Sequence, residues 1–420
     1  MPGPENAQLQ REVVKLASPM KSKGPVVILA RLQSSFLTRT FLSRFKVHAD
    51  LSDWSEAWLS ATRTVAAAAV VLGHARGLVL TDYDRNASVL VMPLYFFSSL
   101  GHEAVVVFFV LSGFWITRSI LCGVESKTWS WPKYLIDRVS RLSTVLIPAL
   151  VVGGLLDYVG IRLLGLNIYS GNTGGNVIAD DVAHSLTLTT FLLNMLFLQN
   201  GIVECFGSNK ALWSLSNEFW YYIVFPLAYW ANRSLASVCL LVLVGAFIVA
   251  YLPAIIPGLA IWLIGSGVAV FPSLRLFGMR YSLAVALTSL IALMAISKLL
   301  GVFGVWSDVA VALSFSACLL AVVARKNGSP RPLLRLMAIF GQNSSYSLYA
   351  IHLPILVITV GILLPAGRRI PEFPNLLLVA GLCGLAIVAG WVFSACTERH
   401  TAAVRRTLKR LVQPRRAASS

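Results

Sequence analysis

Ten predominantly apolar stretches, near residues 62–81, 94–117, 143–164, 212–232, 234–252, 255–272, 280–298, 307–324, 344–365 and 375–396, leave this chain little choice of fold. Each is about the length that carries a helix across a hydrocarbon layer roughly 30 Å thick. With 57% hydrophobic and only 13% charged residues, so much apolar surface does not fit one water-soluble core. The expectation is an all-α integral membrane protein with about ten transmembrane helices. The stretch 186–201 is apolar but short and punctuated by Thr and Asn. It reads as a re-entrant or interfacial element, because an eleventh crossing upsets the charge pattern.

The formal net charge is +17, a value that in a soluble domain points to nucleic acid. No run of residues here resembles a base-reading module, so nucleic acid is not an expected partner and the placement of the charges decides. Alternating the loops between two sides collects 28 of the 35 Lys and Arg on one side and leaves Arg76, Arg85, Arg162, Lys210, Lys298, Arg368 and Arg369 on the other. Basic loops stay cytoplasmic, so both termini are expected inside. The chain then divides into a basic N-terminal tail at 1–58, a ten-span domain at 59–398 and a basic C-terminal tail at 399–420. In the first tail, Arg31, Arg39, Arg44 and Lys46 stand among Leu and Phe; they either rest on the anionic inner leaflet or belong to a disordered segment. Residues 25–32 are too short an apolar run for a secretory signal, which leaves targeting to the first span. Of six cysteines only Cys205 falls in an expected outer loop, so no outer intrachain bridge is expected. No CxxC or HExxH element offers a metal site.

The first span, "RTVAAAAVVLGHARG", keeps Arg63 and His74 in an apolar context. Ionisable side chains at membrane depth are costly and usually functional. Eleven residues make almost three helical turns, which returns both side chains to one face about 16 Å apart. Arg63 is then expected at the cytoplasmic boundary and His74 well across the membrane. Guanidinium holds phosphate bidentately, and neutral imidazole accepts a proton. The pair therefore suits a long ligand with an anionic cytoplasmic head and a thin arm, the shape of acyl-coenzyme A. The bland alternative is a histidine bonding a neighbouring helix.

Four separated stretches are similar to signatures of the membrane acyltransferase 3 family, multi-spanning enzymes that acylate carbohydrates and related acceptors. "RTVAAAAVVLGH" looks like its Arg-x10-His first helix, and "GHEAVVVFFVLSGFWITRS" is similar to its second-helix signature. "LWSLSNEFWYYIVFPL" looks like its Trp-Ser-Leu-Ser-x-Glu segment, and "SYSLYAIHLPIL" resembles its late Ser-Tyr-Ser-Leu-Tyr helix. The resemblance runs from about residue 60 to 360 in the family's order. It implies an acyl donor, usually acetyl-coenzyme A, used from the cytoplasmic side, and an acceptor hydroxyl often presented on the far side.

Carried over residue by residue, the resemblance puts the essential arginine and histidine on Arg63 and His74. His102 and Glu103, at the outer mouth of the second span, either receive the acceptor or are solvated. Ser112 and Gly113 look like a point of close helix packing. Arg138 and Arg141, one turn apart beside the third span, either bind coenzyme A phosphates or form an ordinary positive loop. The family often shows a proline about three residues after the last arginine, whereas here Pro148 follows Arg141 by seven. Glu218, among Trp and Tyr, needs a partner: it orients or recharges His74, bonds an acceptor hydroxyl, or pairs structurally. Trp213, Trp220 and Tyr221 form either a sugar-stacking surface or an interfacial aromatic belt, with Trp213 the one acceptor-site candidate among them. His352 either joins the acceptor site or bonds backbone carbonyls freed by Pro354. Asp157 is a helix-to-helix polar contact or snorkels to the interface.

The functional expectation is a membrane O-acyltransferase of the bacterial inner membrane. It moves an acyl group, acetyl by resemblance, from acyl-coenzyme A to a hydroxyl of a cell-surface polysaccharide or its lipid-linked precursor. His74 is general base or transient acyl carrier, and no tightly bound cofactor is expected. Partners are the acyl-coenzyme A co-substrate, the carbohydrate acceptor and membrane lipids, with a homo-oligomer or a polysaccharide-assembly complex left open. The outer segment 165–211 is rich in Gly, Asn, Ser and Thr, which suits carbohydrate hydroxyls and equally a plain connection. A transporter or flippase also uses buried Arg, His and Glu, but the halves show no internal repeat. A non-catalytic partner of an assembly complex is the third reading.

Overall fold

The computed structural model describes residues 51–84, 89–171, 175, 177–271, 279–300, 304–325 and 328–412; the expectations for Arg31, Arg39, Arg44 and Lys46 fall outside them. Among the described residues the chain is helical with no strand. Its α-helices are α1 (Asp53–Val79), α2 (Met92–Ser98), α3 (Gly101–Glu125), α4 (Trp131–Tyr158), α5 (Leu188–Met195), α6 (Trp213–Trp230), α7 (Leu235–Tyr251), α8 (Ile256–Val270), α9 (Met279–Leu300), α10 (Val305–Val323), α11 (Pro332–Asn343), α12 (Ser345–Leu363), α13 (Phe373–Cys396) and α14 (Thr401–Val412).

A helix of fifteen residues or more covers each of the ten apolar stretches. Six segments, Val89–Glu125, Trp131–Leu163, Pro253–Val270, Val305–Val323, Ser345–Leu363 and Phe373–Val412, are long and apolar enough to cross a membrane; Leu235–Tyr251 and Leu283–Ile296 are shorter apolar helices. The first span is not among the six, and its packing explains why. α1 is enclosed by α3, α11, α12 and α13, so it does not need a wholly apolar surface and accommodates Arg63, His74 and Arg76. It also begins nine residues before the apolar pattern, where the Ser52 hydroxyl accepts from the Ser55 amide at 3.2 Å and Asp53 and Glu56 occupy the first turn. Arg63 therefore sits about 15 Å from the start of its helix.

The stretch 186–201 contributes the eight-residue α5, about 12 Å long and too short to cross. Two further helices lie where the charge pattern reads as loop and tail. α11 packs on α1, with the Thr64 hydroxyl donating to the Met337 carbonyl at 2.6 Å and Gln342 to Ser60 at 3.2 Å. α14 packs along α4, with Lys409 and Arg405 at 3.0 and 3.9 Å from Asp137.

The C-terminal end of α1 is tied to the chain after α12. Arg369 donates its amide to the Val79 carbonyl at 2.7 Å, and Thr81 donates to Arg369 at 2.8 Å. Arg368 grips both oxygens of Asp82 at 3.0 and 3.2 Å. Asp157 is fully buried and neither snorkels nor links helices: it takes the Ser208 amide and hydroxyl at 2.7 Å each, anchoring the outer segment.

The Arg368 guanidinium beside Asp82 holds that carboxyl below its usual range. Such a group stabilises the fold above the ordinary carboxylate pKa, and the contribution disappears as pH falls through the lowered value. Asp82 is 68% exposed, so Asp82→Asn is expected to cost no more than about 1 kcal/mol at neutral pH. The difference in unfolding temperature from the native chain in detergent should close in acid.

α3 and α8 cross at contact distance because glycine stands on both sides. A Cβ on Gly113 collides with the Trp262 carbonyl, and one on Gly265 with the Val110 carbonyl. Both obstacles are backbone, which cannot turn aside. Gly113→Ala and Gly265→Ala are each expected to destabilise by at least about 1–3 kcal/mol, read as a lowered unfolding temperature.

Candidate active site

Arg63, Ser112, Trp115, Arg138, Arg141, Glu218, Tyr222, Tyr346 and Tyr349, from α1, α3, α4, α6 and α12, converge on a cavity of about 120 Å³. That is well below the roughly 300–1,000 Å³ of sites that enclose a whole small molecule. It is a slot for a thin chain. Three guanidinium groups face one lining carboxylate. Arg63 stands 5.8 Å over the Trp115 ring, and among the described residues no hydrogen bond or ion pair engages its guanidinium. Arg141 has only Glu398 at 4.0 Å. Glu398 Oε2 is held by the Ser347 amide and hydroxyl at 3.1 and 3.0 Å, while its Oε1, the atom facing Arg141, is buried without a hydrogen bond. The slot is cationic and suited to an anion.

Glu218 lines this slot together with Arg63. It accepts from the Ser112 hydroxyl at 2.8 Å and from the Tyr222 hydroxyl. Ser112 in turn accepts from the Trp262 indole at 3.2 Å. The close-packing reading therefore fits Gly113, while Ser112 is polar equipment of the cavity.

His74 and His352 lie beyond the slot's end and do not line it. Tyr349 makes the connection: it lines the slot, and its ring centre is 6.0 Å from that of His352. The two imidazoles stack with centroids 5.1 Å apart, and His74 Nδ1 is 2.8 Å from His352 Nε2. His352 is fully buried, with its Nδ1 at 3.1 and 2.9 Å from the Leu348 and Tyr349 carbonyls. Carbonyls only accept, so His352 Nδ1 carries a proton. For neutral rings the rest follows. His352 Nε2 is an acceptor, His74 Nδ1–H donates to it, and the half-buried His74 is left with a bare Nε2 lone pair. Thus His352, not Glu218, orients His74.

Pro354 frees the carbonyl four residues before it, that of Ala350. The Asn209 amide takes it at 2.7 Å, so His352 is not the residue that satisfies it. The remaining candidates are placed elsewhere. His102 bonds Asp308 of α10 at 2.8 Å, and Glu103 is buried at 4% exposure rather than solvated. Trp213 packs edge-on to Phe109 at 6.1 Å and does not line the slot. The Trp220 indole donates to the Phe197 carbonyl at 3.0 Å. Tyr221 is 1% exposed and donates to the Ile255 carbonyl at 2.5 Å, which makes it core and neither a belt nor a stacking residue. Sequence reasoning missed Tyr222, Trp115, Tyr346, Tyr349 and Glu398. The spacing of Tyr346, Tyr349 and His352, each three residues from the next, was a readable signal that they share a face.

The chain is thus a bundle of apolar helices with a cationic slot and, beside Tyr349 on its wall, a hydrogen-bonded pair of imidazoles. The acyltransferase 3 family model, described as an acyltransferase domain, matches residues 56–395, and the chain belongs to that family. No curated protein and no solved structure matches it.

The open guanidinium gives a direct test. Arg63→Gln is expected to raise the KM or Kd for an anionic donor about tenfold or more, the loss of a charge-assisted contact. Isothermal titration on the detergent-purified chain checks this.

Proposed function

We propose that the chain is a ten-span O-acyltransferase of the bacterial inner membrane with both termini cytoplasmic. It takes an acyl group, acetyl by resemblance, from acyl-coenzyme A on the cytoplasmic side. The acceptor is a hydroxyl of a cell-surface polysaccharide or its lipid-linked precursor. Arg63, with Arg138 and Arg141, holds the anionic donor, and its thin arm runs through the slot toward His74. The observation that carries this reading is the hydrogen-bond chain from backbone carbonyl through His352 to His74, which leaves one unprotonated nitrogen as base.

In the transfer, His74 Nε2 takes the proton of the acceptor hydroxyl while that oxygen bonds to the thioester carbonyl carbon. The carbon–sulfur bond then breaks, and the departing thiolate recovers the proton from the imidazolium. His352 accepts from His74 Nδ1–H throughout and stabilises the imidazolium; it is a positioning residue. Attack by the same lone pair on the thioester carbon instead breaks the carbon–sulfur bond, releases the thiolate and leaves an acyl-imidazolium from which the acceptor oxygen takes the acyl group; single-turnover labelling with rapid denaturation near neutral pH detects it.

Labelled acetyl-coenzyme A and candidate glycans, incubated with native and His74→Ala protein, test the assignment. Transfer is expected to fall about 10²–10⁴-fold in the variant, with unfolding temperature and donor affinity retained. Transfer at the native rate sinks the role of His74, and movement of glycan without label transfer points to a transporter. His352→Gln keeps an acceptor for His74 Nδ1–H and His352→Leu removes it. The expected order of kcat is native, Gln, Leu, with donor KM unchanged.

A further inference from the structure

A second concavity, of about 360 Å³, lies where α3 turns into α4. That volume falls within the roughly 300–1,000 Å³ of small-molecule sites. Its wall combines the Trp129 indole and Tyr134 ring with the hydroxyls of Ser126 and Thr128 and the cations Lys133 and Arg138. Asp137 is the single carboxylate among its lining residues, and Lys409 and Arg405 of α14 stand against it at 3.0 and 3.9 Å. The pocket therefore keeps a surplus of positive charge beside an aromatic wall.

Arg138 is the partition between this pocket and the slot, and it lines both. On one side its Nη2 donates to Ser119 at 3.2 Å; on the other its guanidinium carbon stands 6.0 Å over the Tyr222 ring. Its Nε is buried without a hydrogen-bond partner, an unusual state for a group that donates so strongly. A wide cationic pocket, a shared arginine and a narrow cationic slot in sequence describe the outline of an elongated anion with a bulky head and a thin arm.

We infer that this pocket seats the nucleotide head of the thioester donor. The base lies against the half-buried Trp129, whose ring is backed by the buried Tyr134, while Lys133 and Arg138 take the phosphates and the arm passes Arg138 into the slot. This assignment rests on the donor reading above and adds the site of its head. It divides the ligand by size: the larger volume takes the base, the phosphates straddle Arg138 between Lys133 on one side and Arg63 and Arg141 on the other, and the smaller volume takes the arm.

The test compares acetyl-coenzyme A with S-acetylpantetheine, which lacks the nucleotide. Lys133→Glu reverses a charge at the rim, and Ser126→Trp fills the pocket from an exposed loop. In each, the ratio of kcat/KM for acetyl-coenzyme A over acetylpantetheine is expected to fall about tenfold, one charge-assisted contact. An unchanged ratio overturns the nucleotide seat while leaving the transferase reading intact. Titration of adenosine 3′,5′-bisphosphate into the full-length chain reads the pocket without catalysis. Binding that both variants weaken about tenfold supports the seat even where no transfer is detected. Absent binding, or inorganic phosphate binding equally well, removes it.

Discussion

The 2.8 Å hydrogen bond from His74 to His352 joins two helices whose partners lie 278 residues apart. An isolated imidazole on α1 has two equivalent tautomers and free rotation about its side-chain bonds. Once His352 Nδ1 is spent on the Leu348 and Tyr349 carbonyls, the direction of each proton along the pair is set. Which nitrogen of His74 is left without a proton is thus chosen by a backbone carbonyl two groups away, the logic by which an outer hydrogen bond fixes a histidine's tautomer.

That arrangement requires polar groups to sit deep in an apolar bundle, and the surrounding helices make this tolerable. α1 carries the ionisable residues and packs against α3, α11, α12 and α13, so Arg63 and His74 are each partly enclosed by protein. The same economy appears at Pro354. The carbonyl it releases is taken by Asn209 from the outer segment, while Asp157 pins that segment through Ser208. The Gly-, Asn- and Ser-rich stretch that reads from composition as a plain connection is in part a structural brace for α12, the helix that presents His352.

The slot itself separates two kinds of work. Its cations lie near Arg63, where Glu218 is satisfied by Ser112 and Tyr222, and its aromatic end at Tyr349 borders the imidazoles. The slot's guanidinium groups and the paired imidazoles are thus separate clusters, linked through Tyr349. That layout suits a ligand with its anionic and reacting groups far apart.

Much of this was legible in the sequence. The ten helices follow from apolar length, and Arg63 and His74 share a face because helical periodicity is a local property. Membership of the family rests on motifs that are likewise local. Other features belonged to the tertiary structure alone: which acid faces Arg63, that His352 and not Glu218 orients His74, that Tyr221 is core, and that α11 and α14 are packed helices. The reason is physical. In a helix apolar on all sides, as α12 and α13 nearly are, the hydrophobic pattern does not report which face turns inward. Each helix's rotation about its own axis is set by packing against partners distant in the chain, and glycines such as Gly113 and Gly265 reveal it only when the opposing carbonyl is in place.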